Sequence, residues 1–243
     1  LFGLLGPNGA GKTTTIRIVM GIFDADAGSV SVLGGSPAQV RQRVGYLPEE
    51  RGLYRDLRVL DVLTYLAVLK GTPRKRAGER ALWWLERVGL SEWAHHPVRD
   101  LSRGMQQKVQ LVASLVHDPD LLILDEPFQG LDPVNVALIN ELIRELQAQG
   151  KTIVLSAHEM SLVEAVCDRI VLINHGRSVL YGALDEIKRR YSRNAVRVRS
   201  SASLEGLPGV SSVREQEGVQ VVTLNGASPQ DLLATLVAHR IPV

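Results

Sequence analysis

Lys12 follows the stretch Gly6-Pro7-Asn8-Gly9-Ala10-Gly11 and is itself followed by Thr13 and Thr14. The run fits G-x-x-x-x-G-K-[ST], a loop whose backbone cradles a polyphosphate. Gly6, Gly9 and Gly11 let the chain approach the phosphates without a Cβ in the way. Successive N–H groups then face one concavity, and a following helix adds the positive end of its dipole. Lys12 has the reach for the β- and γ-phosphates, and the Thr13 hydroxyl is a ligand for Mg²⁺. A second chemical feature lies far along the chain, where the apolar run Leu121-Leu122-Ile123-Leu124 ends in Asp125-Glu126. In an α/β sheet, the carboxyl end of a strand beside a phosphate loop is where a site forms.

These residues need a scaffold, and the flanking patterns predict one. Leu1-Phe2-Gly3-Leu4-Leu5 reads as a buried strand and residues 14–20 as a helix, so the glycine loop has the strand–loop–helix context it requires. Residues 29–33 alternate like a short strand and are stopped by Gly34-Gly35-Ser36-Pro37. Val44-Gly45-Tyr46-Leu47 is a further strand, running into Pro48-Glu49-Glu50. Apolar residues then recur with a helical period over 59–70 (Val59, Val62, Leu63, Leu66, Leu69) and 75–88 (Leu82, Leu85, Val88). We expect a helical insertion over about 50–119 within an α/β domain. Trp83 and Trp84 read as core, an exposed apolar docking surface being the other reading. Strands return at 121–126 and 152–156, separated by a helix at 133–149 with Pro at its first turn and Gly150 as its stop. A helix at 159–166, a hairpin around Asn174-His175-Gly176-Arg177 and a polar helix at 184–191 follow.

From residue 192 the composition turns small and polar. Strands at 195–199, 210–214 and 219–224, then a helix at 229–239 with Ser228 as N-cap and Asp231 three residues on, predict a small α+β module. The expected division is 1–191 and 192–243.

Composition narrows the function classes. At 45% hydrophobic and 22% charged residues, the chain has a globular balance. With 28 basic and 26 acidic residues, a net charge of +2, it offers no electrostatic case for nucleic acid as the main ligand. Cys167 is the one cysteine, so no internal disulfide forms, and beside Val166 it reads as core filler. No segment approaches the roughly 20 apolar residues of a membrane-spanning helix. The chain opens directly in an apolar strand without Met, which suggests a domain cut from a longer protein. The basic residues Lys188, Arg189, Arg190, Arg193, Arg197 and Arg199 read as a solvated face, with contact to anionic lipid headgroups as the alternative.

Five further stretches match the phosphate loop in content and order, and the set resembles the ATPase subunit of an ATP-binding cassette (ABC) transporter over roughly residues 1–182. Residues 121–126 look like its Walker B strand; the resemblance implies that Asp125 holds Mg²⁺ opposite Thr13 and that Glu126 is the general base for the attacking water. Leu101-Ser102-Arg103-Gly104-Met105 is similar to the L-S-G-G-Q signature, with Ser102 and Gly104 matching and Arg103 and Met105 departing. In the family this segment holds the γ-phosphate of ATP bound to the other subunit. Gln129-Gly130-Leu131-Asp132-Pro133 is similar to the dimer-contact loop, with Gln129 where Ser is usual. His158 falls at the switch-histidine position. Tyr46-Leu47-Pro48-Glu49-Glu50-Arg51 falls at the Gln loop, with Glu49 in place of Gln as a second carboxylate for Mg²⁺. Glu there, with a small C-terminal module, looks like the sodium and drug exporter branch.

The resemblance implies an α/β P-loop NTPase fold of ABC type: a parallel core sheet, a helical insertion, and the C-terminal module. It implies ATP and Mg²⁺ as ligands, a homodimer or paired ATPase subunit, and a separate transmembrane permease that holds the chain at the cytoplasmic face of the cell membrane. Residues 50–69 are the expected contact with that partner. The adenine-stacking aromatic and antiparallel strands of the family are expected upstream of residue 1. Two other readings are a soluble ABC ATPase acting on ribosomes or DNA and a non-hydrolysing binding protein. One cassette with a compact insertion disfavours the first, and intact Lys12, Asp125, Glu126 and His158 disfavour the second.

Overall fold

Apolar runs alternating with amphipathic helices assemble a six-stranded sheet in the first part of the chain and a three-stranded sheet in the second. The computed structural model describes residues 1–50, 52–191, 195–216 and 218–242. In order the elements are β1 (Phe2–Leu5), α1 (Lys12–Val19), α2 (Pro37–Val40), β2 (Val44–Leu47), α3 (Val59–Leu69), α4 (Arg74–Arg87), α5 (Arg103–Leu115) and β3 (Leu121–Leu124). Then come α6 (Pro133–Ala148), β4 (Thr152–Ala157), α7 (Met160–Glu164), β5 (Arg169–Asn174), β6 (Arg177–Ala183), α8 (Leu184–Tyr191), β7 (Ala195–Val198), β8 (Val210–Gln216), β9 (Val219–Leu224) and α9 (Pro229–Ala238). Two compact units divide at Leu184/Asp185, which puts nearly all of α8 with the second.

In the first unit the strand order is β2-β3-β4-β1-β5-β6. All neighbours run parallel except the β5–β6 hairpin. After β1 the chain passes over β4 and β3 to build β2 at the edge, so a crevice opens at the carboxyl ends of β1, β4 and β3. Leu4, Ile16, Val44, Leu121 and Ile123 fill one side of this sheet. β3 is apolar on both faces because both are covered, the usual state of a central parallel strand.

The helical insertion forms as expected. Val62, Leu63 and Ala67 of α3 and Ala77, Ala81 and Leu85 of α4 are buried. The two adjacent tryptophans divide between the two readings, since neighbours on a helix point about 100° apart. Trp84 is 6% exposed and joins the core; Trp83 is 50% exposed, with the Arg87 guanidinium over its ring at 5.6 Å.

Two expected elements differ. The strand over 29–33 does not form: Val32 makes a single antiparallel bridge to Gly35, and no other strand among the described residues lies alongside to take up its hydrogen bonds. The helix over 159–166 shortens to α7, because the chain turns after Glu164 to bury Val166 and Cys167 before entering β5.

In the second unit, β7-β9-β8 form an antiparallel sheet whose core is Val198, Leu204, Val222, Leu224, Leu232 and Leu236. Ser228 caps α9 as expected, accepting from Asp231 N at 3.2 Å while the Asp231 carboxylate accepts from Ser228 N at 2.8 Å. Of the basic cluster, Arg190, Arg197 and Arg199 are exposed, and Arg193 lies outside the described residues, as does Arg51.

His117, just past α5, supports edge strand β2: its Nε2 lies 3.2 Å from the Val44 carbonyl oxygen. Burial, and after it the nearby Lys70 ammonium, push its imidazole down to about 4. The unfolded chain therefore takes up the proton first, so stability is full above the ordinary value of 6.5 and is lost as pH falls toward 4. Urea unfolding should show a loss of about 2 kcal/mol between about pH 7.5 and about pH 5, much reduced in His117→Gln; equal losses in the two proteins would exclude this origin.

Candidate functional site

The glycine loop leaves β1 at Gly6, where a Cβ would stand 2.3 Å from the Ile173 carbonyl oxygen, so no larger residue fits. It ends at Gly11, which precedes α1 with φ 103° and offers no side-chain cap to the helix. The first-turn N–H groups of α1 are thus left for an anion. Lys12 folds back over the loop, nearly buried, and its Nζ donates to the Gly6 carbonyl at 2.8 Å and lies 3.4 Å from that of Pro7. The tip of the β5–β6 hairpin ties the loop down, Gly176 N donating to the Ala10 carbonyl at 2.9 Å. Residues 8–14 with Glu49 and Glu126 line one cleft of about 230 Å³.

Glu126 and Asp125 come from the adjoining strand end. Asp125 N still donates to the Leu47 carbonyl at 2.8 Å, and then Glu126 takes φ 51°, which ends β3 two residues before the expected limit. A non-glycine residue in the left-handed region marks strain that surrounding contacts must hold. The Glu126 carboxylate is gripped from two sides: Oε1 lies 3.2 Å from Lys12 Nζ and Oε2 lies 2.9 Å from His158 Nδ1. His158 follows β4, the strand between β1 and β3, which places it level with the end of β3 where Glu126 stands. A second cleft holds His158, Gln129, Asn8 and Glu126 together.

Asp125 is fully buried. Its Oδ1 accepts from Ser156 Oγ at 2.5 Å, while its Oδ2 has no hydrogen-bond partner. After burial, the Asp125 charge raises the Tyr46 phenol above its ordinary value. No group of three or more His, Cys, Asp or Glu among the described residues could hold a metal by itself. Asp125, with its unpartnered oxygen, directly precedes Glu126, which lines the cleft with the Thr13 hydroxyl and the Glu49 carboxylate. A hydroxyl with one or two carboxylates is a donor set that fits Mg²⁺, which draws further oxygens from phosphate and water.

Ser102, Gly104 and Asp132 lie apart from this cleft. Exposed Ser102 caps α5, accepting from Met105 N at 3.3 Å. Asp132 caps α6, and the Asn135 backbone N–H at 2.9 Å holds its carboxyl below the usual range. The two caps are neighbours: a methyl on Gly104 would lie 3.5 Å from Asn135 Nδ2.

Sequence reasoning passed over two residues. Gln110, buried on α5, donates to the carbonyls of Pro48 at 3.3 Å and Glu50 at 2.9 Å, which flank Glu49. Ser156 bonds Asp125 and also accepts from Glu126 N at 2.9 Å. Each is a polar residue among apolar neighbours on a buried face, and that was the available signal. Cys167 is the core filler expected, burial pushing its thiol up to about 12.

Comparison with known proteins gives this geometry a family. The ABC transporter family model matches residues 1–129, and the model for the C-terminal domain of DrrA1-3-like ATP-binding proteins matches residues 182–243. An uncharacterized ABC transporter ATP-binding protein of Methanocaldococcus jannaschii is 46% identical over 190 residues, covering 78% of this chain and 70% of the relative. The Nod factor export ATP-binding protein I of Ralstonia nicotianae is 37% identical over 242 residues, covering 97% and 75%. A solved ATP-binding subunit of an ABC transporter superposes with a TM-score of 0.72 at 33% identity, over 78% of this chain and 81% of that one. The glycine loop, the two carboxylates and His158 thus stand in an ATP-hydrolysing α/β domain of P-loop type, and the chain belongs to the ABC transporter ATP-binding proteins.

Proposed function

We propose that this chain is the motor of an exporter, pairing head to tail with a second ATPase subunit around two ATP and driving a separate membrane subunit. What carries the reading is the Glu126 carboxylate, held between Lys12 Nζ and His158 Nδ1 at the rim of the phosphate cleft. A carboxylate fixed there can accept the proton of a water attacking the γ-phosphate. Lys12 neutralises charge on the phosphates, and the backbone N–H groups of the loop from Asn8 to Thr14 donate to their oxygens. His158 orients Glu126 and can bond the γ-phosphate through its other ring nitrogen. Thr13, Asp125 and Glu49 would hold Mg²⁺, which when bound neutralises the charge on the β- and γ-phosphates. Exposed Glu49 sits on a loop held by Gln110, whereas Glu126 sits beside buried Asp125 at a strand end; that rigidity favours Glu126 as the base and leaves Glu49 as a sensor.

Ser102 and Gly104 lie outside the cleft of their own chain, and a site completed by a second subunit accounts for that. The start of α5 then meets the ATP of the partner, with Asp132 at the same contact. Export, rather than uptake, is supported by the name of the Ralstonia relative. Tyr54, Leu57, Tyr65 and Leu69 are exposed apolar residues on and before α3, and we assign them the contact with the membrane subunit. No helix among the described residues is long and apolar enough to cross a membrane, which fits attachment to the cytoplasmic face through that subunit.

Four substitutions test the assignment. Lys12→Ala should abolish hydrolysis and weaken ATP binding, read by steady-state turnover and nucleotide titration; parent turnover would remove the loop from the mechanism. Glu126→Gln should bind ATP yet hydrolyse it roughly 10²–10⁴-fold more slowly, and should accumulate as an ATP-bound dimer on size-exclusion chromatography. Parent-rate hydrolysis in that variant, with slow hydrolysis in Glu49→Gln, would move the base to Glu49. Ser102→Arg should keep ATP binding to the monomer but prevent the closed dimer; loss of monomer binding as large as in Lys12→Ala would show that the site is not shared.

A further inference from the structure

We propose that Ser156 is a positioning residue for hydrolysis, its single hydroxyl setting the Asp125 carboxylate and the Glu126 backbone together. The inference rests on the reading of Glu126 as the base. Ser156 is fully buried, and its hydroxyl has one proton to give and lone pairs to receive. It gives the proton to Asp125 Oδ1 at 2.5 Å and receives the Glu126 N–H at 2.9 Å. A bond to a carboxylate from a hydroxyl is short and strong, so it selects one orientation of Asp125. In that orientation Oδ2 is the oxygen left without a partner.

The second bond acts on the backbone. Glu126 has φ 51°, which a non-glycine residue keeps only when neighbouring contacts hold it. This turn swings the carboxylate out of line with β3 and toward Lys12 and His158. The N–H of the turn ends on Ser156 Oγ, away from the strand ladder. The parallel register makes the contact possible: Leu124 is paired with Leu155, so Asp125 comes level with Ser156. Two residues further on, His158 Nδ1 meets the carboxylate of the same Glu126 at 2.9 Å. The end of β4 therefore holds Glu126 at its amide and at its acid.

Removal of the hydroxyl leaves a buried N–H without a partner and frees Asp125 to rotate. Ser156 touches no reacting atom, so its effect should fall on turnover rather than on ATP binding. In the full chain, Ser156→Ala should lower kcat roughly 10- to 100-fold, keep KM for ATP within about twofold, and require more Mg²⁺ for half-maximal rate. Ser156→Thr, which keeps the hydroxyl, should recover most of the rate, and Ser156→Cys, a weak donor, should fall between. Because Ser156 acts in part through Glu126, adding Ser156→Ala to Glu126→Gln should slow that variant by less than the same change slows the parent. Parent kcat in Ser156→Ala, or a full additional loss in the double variant, overturns the inference. If Ser156→Ala does not fold, the order Thr above Cys decides, and equal rates in those two overturn it. Parent turnover in Glu126→Gln would instead overturn the assignment of the base.

Discussion

Strand β4 lies between β1 and β3, and the chemistry depends on that placement. β1 delivers the phosphate loop and β3 delivers Asp125 and Glu126, but neither strand touches the other. The loop after β1 meets the end of β3 directly, Lys12 Nζ lying 3.2 Å from Glu126 Oε1, and the end of the intervening strand holds the β3 acids in place for that contact. Ser156 and His158 occupy that end and contact Asp125 and Glu126 from it. Parallel pairing makes the arrangement precise, because all strand ends point the same way and a fixed register sets which residues come level. The left-handed turn at Glu126 is the local strain that this framework holds.

Helix α5 links the cleft to the insertion. It starts at the exposed Ser102 cap, reaches the Glu49 loop through Gln110 at its middle, and is followed by His117 against β2. Gln110 thus ties the middle of the helix to the carbonyls on either side of Glu49.

The C-terminal unit builds its own apolar core from β7, β8, β9, α9 and the segment around Leu204. Inward residues such as Val198, Val222 and Leu224 meet Leu232 and Leu236 of α9, so its fold follows from the strand alternation and the capped helix.

Much of this was legible in the residues themselves. A glycine spacing followed by lysine and threonine identifies a phosphate loop because backbone geometry is local. Apolar runs and helical periods located β1, β2, β3 and the insertion, since burial of a face imposes a period on its own segment. Where the outcome depended on a neighbour, the sequence was silent or misleading. Residues 29–33 alternate like a strand, yet a strand exists only with a partner for its hydrogen bonds, and none lies there among the described residues. Trp83 and Trp84 have the same side chain, and helix rotation alone decided which one was buried. Ser156 and Gln110 look like stray polar residues in apolar runs. Their partners stand 31 residues away for Ser156, at Asp125, and 60 away for Gln110, at Glu50, so only the tertiary fold could pair them.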